Sequence, residues 1–360
     1  MSENRPARSG ATGCEGTCTC GGPDRDDFGL AHRSPRLTPV AVHTSIDAGK
    51  RHLIVQRSIP AGTFLMGDSR GRNNPGDGEL PLHQVTLADF DIDATAVTVG
   101  AFRRFVQATG YVTDAERFGF SAVFHLTLDA APEDVLGRPS GTPWWLGVRG
   151  ADWKHPCGPR SSTSGLEEHP VTHVSWNDAA AYCAWANRRL PTEAEWEYSS
   201  RGGLAHATYP WGDNPPDDGG WRANIWQGNF PLTNTLQDGY LTTAPVRSYE
   251  PNGYGLWQTV GNVWEWCADW YANDYYQHSP LHRPTGPDSG TSKVMRGGSF
   301  LCHDSYCNRY RNSARTSNTP DSSAANTGFR TVSVTLEDSG DAPTTGRHTL
   351  HQQRSSVERA

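Results

Sequence analysis

The chain has no surplus of positive charge: 32 Lys and Arg stand against 39 Asp and Glu, for a net charge of −7. That argues against nucleic acid as the main partner, since phosphate binding needs a basic face. No apolar run approaches the roughly 18 residues of a membrane span. The first 29 residues contain no apolar signal core. The expected location is therefore the cytosol, where thiols stay reduced and no membrane is involved. The Gly-x-x-x-x-Gly-Lys-Ser phosphate loop and the dinucleotide fingerprint are both missing, and no segment repeats at a fixed period. Hydrophobic residues make up only 35%, but 13 Trp, 38 Gly and 25 Pro offset the shortage. They point to a globular body rich in turns, with little regular helix or sheet.

Residues 1–48 are polar and Gly-rich and read as a disordered leader. Residues 336–360 read as a disordered tail, which leaves one body over 49–335. Leu53 to Met66 predicts a strand, a turn at Gly62 and a strand, and Val85 to Ile92 a further strand. Thr98 is placed to cap a helix with Phe102, Phe105 and Val106 on one face, stopped by Gly110. Ser175 with Asp178 and Thr192 with Glu195 form two capping boxes. The first opens a helix with Ala181, Ala184 and Trp185 as its apolar face; the second opens a helix ending at Gly202. The segments do not alternate as βαβ, so the fold class is α+β.

Eight cysteines are present. Cys14, Cys18 and Cys20 sit in the leader, where no His or fourth Cys completes a zinc pattern; they read as reactive thiols on an unstructured segment. Cys157, Cys183 and Cys267 are scattered, and Cys267 reads as a buried filler. Cys302 and Cys307 are the one close pair in the body. Five residues is a poor helical spacing, and no second Cys or His pair finishes a tetrahedron. Two thiolates suit a soft ion of low coordination number, Cu(I) above all. Arg296, Arg309 and Arg311 would favour the thiolate form if they faced inward. On cysteine arithmetic alone, a disulfide or two structural thiols explain the pair equally well. In Gly261-Asn-Val-Trp-Glu-Trp-Cys-Ala-Asp-Trp270, alternation marks a strand. Trp266 and Trp270 read as core, while Trp264 is placed to wall a pocket. Asn224 and Asp238 are hard donors of the kind calcium takes, although loop Asn and Asp more often bond their own backbone.

These segments together resemble the catalytic body of the formylglycine-generating enzymes. The motifs are Gly297-Gly-Ser-Phe-Leu-Cys-His-Asp-Ser-Tyr-Cys-Asn-Arg-Tyr-Arg311, Asn318-Thr-Pro-Asp-Ser-Ser323, Gly328-Phe-Arg330, Val174-Ser-Trp-Asn-Asp178, Arg189-Leu-Pro-Thr-Glu-Ala-Glu-Trp-Glu197 and Ala223-Asn-Ile-Trp-Gln-Gly228. The resemblance implies a single irregular domain related to the C-type lectin fold. It implies a monomeric oxidoreductase that uses O2 and Cu(I). Its target would be a cysteine within Cys-x-Pro-x-Arg of a nascent or unfolded sulfatase, converted to Cα-formylglycine. It assigns Cys302 and Cys307 to copper and Ser299, Trp264 and Tyr306 to the reaction pocket, with His303 alongside. It assigns Asn224, Ile225 (carbonyl), Asp238 and Tyr240 (carbonyl) to a structural calcium. A second calcium would fall near Gln258, Gly261, Val263 and Glu265, with Gln258 standing where relatives have Asn.

The resemblance also places Cys183 on a half-cystine of animal relatives. Ser200 is expected at its partner position, and Asn312 with Thr331 at a second lost bridge. Two rival readings are a non-catalytic binding module on the same fold and a non-haem iron sulfoxide synthase. The latter would want a His-rich helical partner domain, which the sequence lacks.

Overall fold

A computed structural model describes residues 21–29 and 52–334. The three leader cysteines and the 336–360 tail lie outside the described residues. The helices form where local chemistry starts and stops them. Helix α1 (Val99–Thr109) is capped by the Thr98 hydroxyl, which accepts from the Ala101 N–H, and closes on left-handed Gly110. Helix α2 (Asp114–Phe118) carries a capping box between Thr113 and Glu116 that the residue pattern had not suggested. Helices α3 (Trp176–Ala186) and α4 (Glu193–Ser200) start on the expected boxes, Ser175/Asp178 and Thr192/Glu195. The inward face of α3 is rotated from expectation. Ala184 is exposed, and Tyr182, Cys183 and Ala186 are buried beside Trp185. The large Tyr182 ring, packed among Phe102, Phe105 and Phe329, decides the rotation.

Two four-stranded sheets frame the body. One orders Gln56–Ile59, Phe90–Asp93, Val332–Ser333 and Arg188–Arg189, so the strand expected to close the chain pairs near its beginning. The other orders Arg315–Asn318, Lys293–Arg296, Trp264–Trp270 and Thr327–Gly328. The expected Val85–Ile92 strand is two strands, His83–Leu87 and Phe90–Asp93, broken at Ala88-Asp89. The fold is thus mixed, irregular and α+β, as the composition suggested. Its main apolar cluster joins Trp264, Trp266 and Met295 to Cys302, Cys307 and Tyr310. Trp266 is fully buried, but Trp270 is only half-buried, with the Lys293 ammonium 3.8 Å from its ring centre. No described helix is long and apolar enough to cross a membrane.

Two expectations need correction. Residues 21–29 are not disordered: a 3₁₀ turn, Arg25–Phe28, packs on the body with Arg25 and Phe28 buried. These two side chains supply burial that the polar composition around them concealed. Ser200 also does not face Cys183. Its hydroxyl donates to Asn312 Oδ1 at 2.8 Å, so the position paired with Ser200 is Asn312. Cys183 instead neighbours Asp93, the carboxylate that accepts from the Thr331 hydroxyl at 2.7 Å.

Candidate active site

The second sheet sets the site. Strand Lys293–Arg296 leads into Gly297-Gly298, then a turn that carries both cysteines. Gly298 sits at φ +72°, and a Cβ there would lie 2.9 Å from the Arg309 carbonyl and 3.1 Å from Cys302 Sγ. Only glycine lets the backbone run this close to the sulfur. The Cys302 N–H donates to the Ser299 carbonyl, and the Tyr306 and Cys307 N–H groups both donate to the His303 carbonyl. This double turn overcomes the poor five-residue spacing. Cys302 Sγ and Cys307 Sγ stand 3.3 Å apart, both buried and neither in a disulfide. A disulfide would need about 2.05 Å, so the two sulfurs stand as adjacent, unbridged thiols. The Ser299 N–H donates to Cys302 Sγ at 3.4 Å.

Ser299, Trp264 and Tyr306 gather around the pair. Ser299 and Trp264 are fully buried. Ser299 Oγ accepts from Asn326 Nδ2 at 3.0 Å and from the Leu301 N–H at 3.3 Å. The same Asn326 offers its carbonyl to the Trp264 N–H. Tyr306 stacks on Phe230 with ring centres 4.4 Å apart and meets Trp144 edge-on at 5.1 Å. His303 is partly exposed, bonded to Ser305 Oγ at 2.8 Å, on a polar cleft shared with Tyr209, Gln227 and Tyr310.

The three arginines are each paired with buried carboxylates. Arg309 forks onto Asp77 at 2.6 and 2.8 Å, Arg311 onto Glu79 at 2.7 Å twice, and Arg296 binds Glu193 and Glu197. A buried guanidinium costs several kcal/mol unless a carboxylate neutralises it, so each of these cations is held by an acid. Asp77, Glu79, Glu193 and Glu197 are the positioning residues that sequence reading missed; they sit about 100 or more positions from their partners, beyond any local signal. Burial raises the Asp77 pKa above the usual carboxylate range, Arg309 opposes it, and Cys307 is close enough to add to the rise.

Of the residues expected to hold calcium, Ile225 and Tyr240 meet Asp238 through their backbone N–H groups. Asn224 is buried and its Oδ1 has no hydrogen-bond partner, while its Nδ2 donates to the Thr242 carbonyl. Asp238 accepts from the Ile225 and Tyr240 N–H groups at 3.1 and 3.0 Å, and burial raises its pKa. The Ile225 carbonyl accepts from Gln227 Nε2. The orphaned Asn224 Oδ1 is a hard donor of the kind a cation takes, while both Asp238 oxygens and the Ile225 carbonyl already accept N–H donors. At the second location, Gln258 Oε1 is likewise buried without a partner. The Glu265 oxygens there are taken by Arg330 and Trp196. Among the described residues no three His, Cys, Asp or Glu side chains cluster as a metal site. Two adjacent sulfurs suit a soft ion that accepts few protein ligands.

The chain matches the family described as sulfatase-modifying factor enzyme 1-like domain over residues 48–335. It is 60% identical over 287 residues to the formylglycine-generating enzyme of Streptomyces coelicolor, covering 80% of this chain and 91% of that one. It is 56% identical over 276 residues to that of Thermomonospora curvata, covering 76% and 91%. Among solved structures, PvdO from Pseudomonas aeruginosa shares the fold, with a TM-score of 0.55 at 24% identity over 77% of this chain and 93% of that one. The chain belongs to the sulfatase-modifying factor family, in which the formylglycine-generating enzymes stand.

Proposed function

We propose that this protein is a copper-dependent oxidase that converts the cysteine of a sulfatase Cys-x-Pro-x-Arg segment to Cα-formylglycine, acting as a monomer on nascent or unfolded chains. The single observation behind this reading is the buried 3.3 Å thiol pair walled by Trp264, Ser299 and Tyr306. Cu(I) held by Cys302 and Cys307, with the target thiolate as a further soft ligand, would supply activation of O2. The balance is explicit. The target CH2SH carbon gives two electrons and becomes an aldehyde, and its sulfur leaves as H2S. Water supplies the aldehyde oxygen by hydrolysing the thioaldehyde that precedes it. Two molecules of an external thiol give two more electrons as they join in a disulfide, and O2 takes all four and leaves as two waters.

The chain's own residues hold and shield. The Ser299 N–H donates to Cys302 Sγ and fixes where that sulfur points. Ser299 Oγ accepts two bonds, which leaves its own hydroxyl hydrogen as the donor for negative charge developing on oxygen. Trp264 excludes water, and the Tyr306–Phe230–Trp144 stack forms a rigid aromatic wall. Asn224, Ile225, Asp238 and Tyr240 would hold calcium, which would brace the loop that carries Trp226.

The test incubates the copper-loaded protein in air with an external thiol and a Cys-x-Pro-x-Arg peptide. Mass spectrometry should find the aldehyde, and a copper chelator should abolish it. Cys302→Ser and Cys307→Ser should each lose at least a hundredfold in rate. Full activity in either variant would sink the mechanism.

A further inference from the structure

The leader residues 21–29 lie on the family's own signature loop. Arg25 is 5% exposed and donates three hydrogen bonds: Nε to the Asp321 carbonyl at 2.8 Å, Nη1 to the Phe120 carbonyl at 3.0 Å, and Nη2 to Ser323 Oγ at 2.9 Å. Its guanidinium sits 4.2 Å from the Phe118 ring centre. Pro23 is buried. The Gly22 carbonyl accepts from Asn318 Nδ2, and the Gly21 carbonyl from Thr327 Oγ1 at 3.3 Å. Phe28 fills a space kept open by Gly147, where a Cβ would meet its ring at 2.8 Å. From Gly21 the path to the thiols is short: Thr327 adjoins Asn326, Asn326 bonds Ser299, and the Ser299 N–H bonds Cys302.

The leader sequence here is Cys20-Gly-Gly-Pro-Asp-Arg25. Its Pro23-Asp-Arg25 matches the Pro-x-Arg half of Cys-x-Pro-x-Arg. In that register the target cysteine falls on Gly21, which has no side chain, and Cys20 is one residue too far upstream. The segment has what docking needs and lacks the group that reacts.

We propose that Gly21–Arg25 is a built-in pseudosubstrate: it occupies the groove for the Pro-x-Arg half of the target and must leave before a sulfatase segment binds. This rests on the proposed oxidase reading for the identity of the target. A tethered segment acts at an effective concentration near millimolar, so weak intrinsic affinity is enough to hold the groove. The apparent affinity for the target is reduced by the fraction of chains whose groove is free.

The test uses the full chain and Arg25→Ala. Losing three buried charge-assisted bonds should release the leader and lower KM for a Cys-x-Pro-x-Arg peptide about tenfold, with kcat unchanged. A purely structural strap would lower kcat or raise KM instead. A synthetic peptide of residues 20–29 should inhibit Arg25→Ala competitively. An unchanged or raised KM overturns the proposal. If neither protein converts the peptide, the oxidase reading has failed, and fluorescence anisotropy with the labelled target peptide decides docking separately. Tighter binding to Arg25→Ala supports the pseudosubstrate; equal or weaker binding overturns it. Gly21→Cys adds a second arm, because it writes Cys-Gly-Pro-Asp-Arg into the leader. With O2 and an external thiol it should form an aldehyde at its own position 21. A leader left as thiol by an enzyme that turns over free peptide overturns the register.

Discussion

Asn326 Nδ2 donates to Ser299 Oγ at 3.0 Å, and this bond ties the closing loop of the body to the turn that holds the thiols. Both residues are fully buried. The amide therefore selects which way the serine hydroxyl can donate. Asn326→Ala should lower kcat about tenfold while KM moves less than twofold, since one oriented donor is lost and the peptide groove stays. Steady-state kinetics on the target peptide checks this. A drop in KM of the same size as the drop in kcat would point to the groove instead.

The Asp77–Arg309 pair is a scaffold element next to Cys307. Asp77→Ala leaves a buried guanidinium without its carboxylate and should cost about 3–5 kcal/mol. Asp77→Leu combined with Arg309→Met should recover most of that loss, because both charges leave together. Denaturant unfolding of the two variants measures the difference.

Calcium should act on stability before it acts on rate. After chelation, adding calcium to about 100 times Kd should stabilise the protein by about 2.7 kcal/mol, or roughly 5 °C. Asp238→Ala should abolish this shift, because it removes the one carboxylate of the proposed ligand set. An undiminished calcium shift in Asp238→Ala would place the ion elsewhere.

His173 sets an acid limb. Burial lowers its pKa to about 4, while the Pro156 carbonyl opposes and Arg25 adds to the fall. An unfolded histidine takes its proton near pH 6.5. The folded-state pKa is the depressed one, so the neutral ring's contribution is fully present above about pH 6.5. It is lost as pH falls toward 4, by an amount on the order of 3 kcal/mol. A melting-temperature series should show this decline, and His173→Gln should flatten it.

Much of the architecture was legible because its signals are local. Thr98 with Gly110, Ser175 with Asp178, and Thr192 with Glu195 act within a turn or a helix length, so their chemistry reads directly from spacing. The residues expected at the site came from the family motifs, and the fold brings Trp264, Ser299, Cys302, Tyr306 and Cys307 into one region. What was not legible depends on pairs far apart in the chain. Arg309 finds Asp77 across 232 positions, and Ser200 finds Asn312 across 112. Arg25 reads as one more charge in a polar leader until Phe118, Phe120 and the 319–323 loop are seen to enclose it. The register of α3 was missed for a similar reason, since helix periodicity did not weigh the one large ring at Tyr182.

The Ser200–Asn312 bond has a practical corollary. The proposed reaction draws two electrons from an external thiol, and the same reagent cleaves exposed disulfides. Among the described cysteines none is bridged, and a hydroxyl–amide contact stands in the interior where the animal relatives were expected to carry sulfur. The enzyme can be run, stored and assayed in the reductant that feeds it without eroding its own frame. Reductant concentration then becomes a free experimental dial on turnover, decoupled from shelf life.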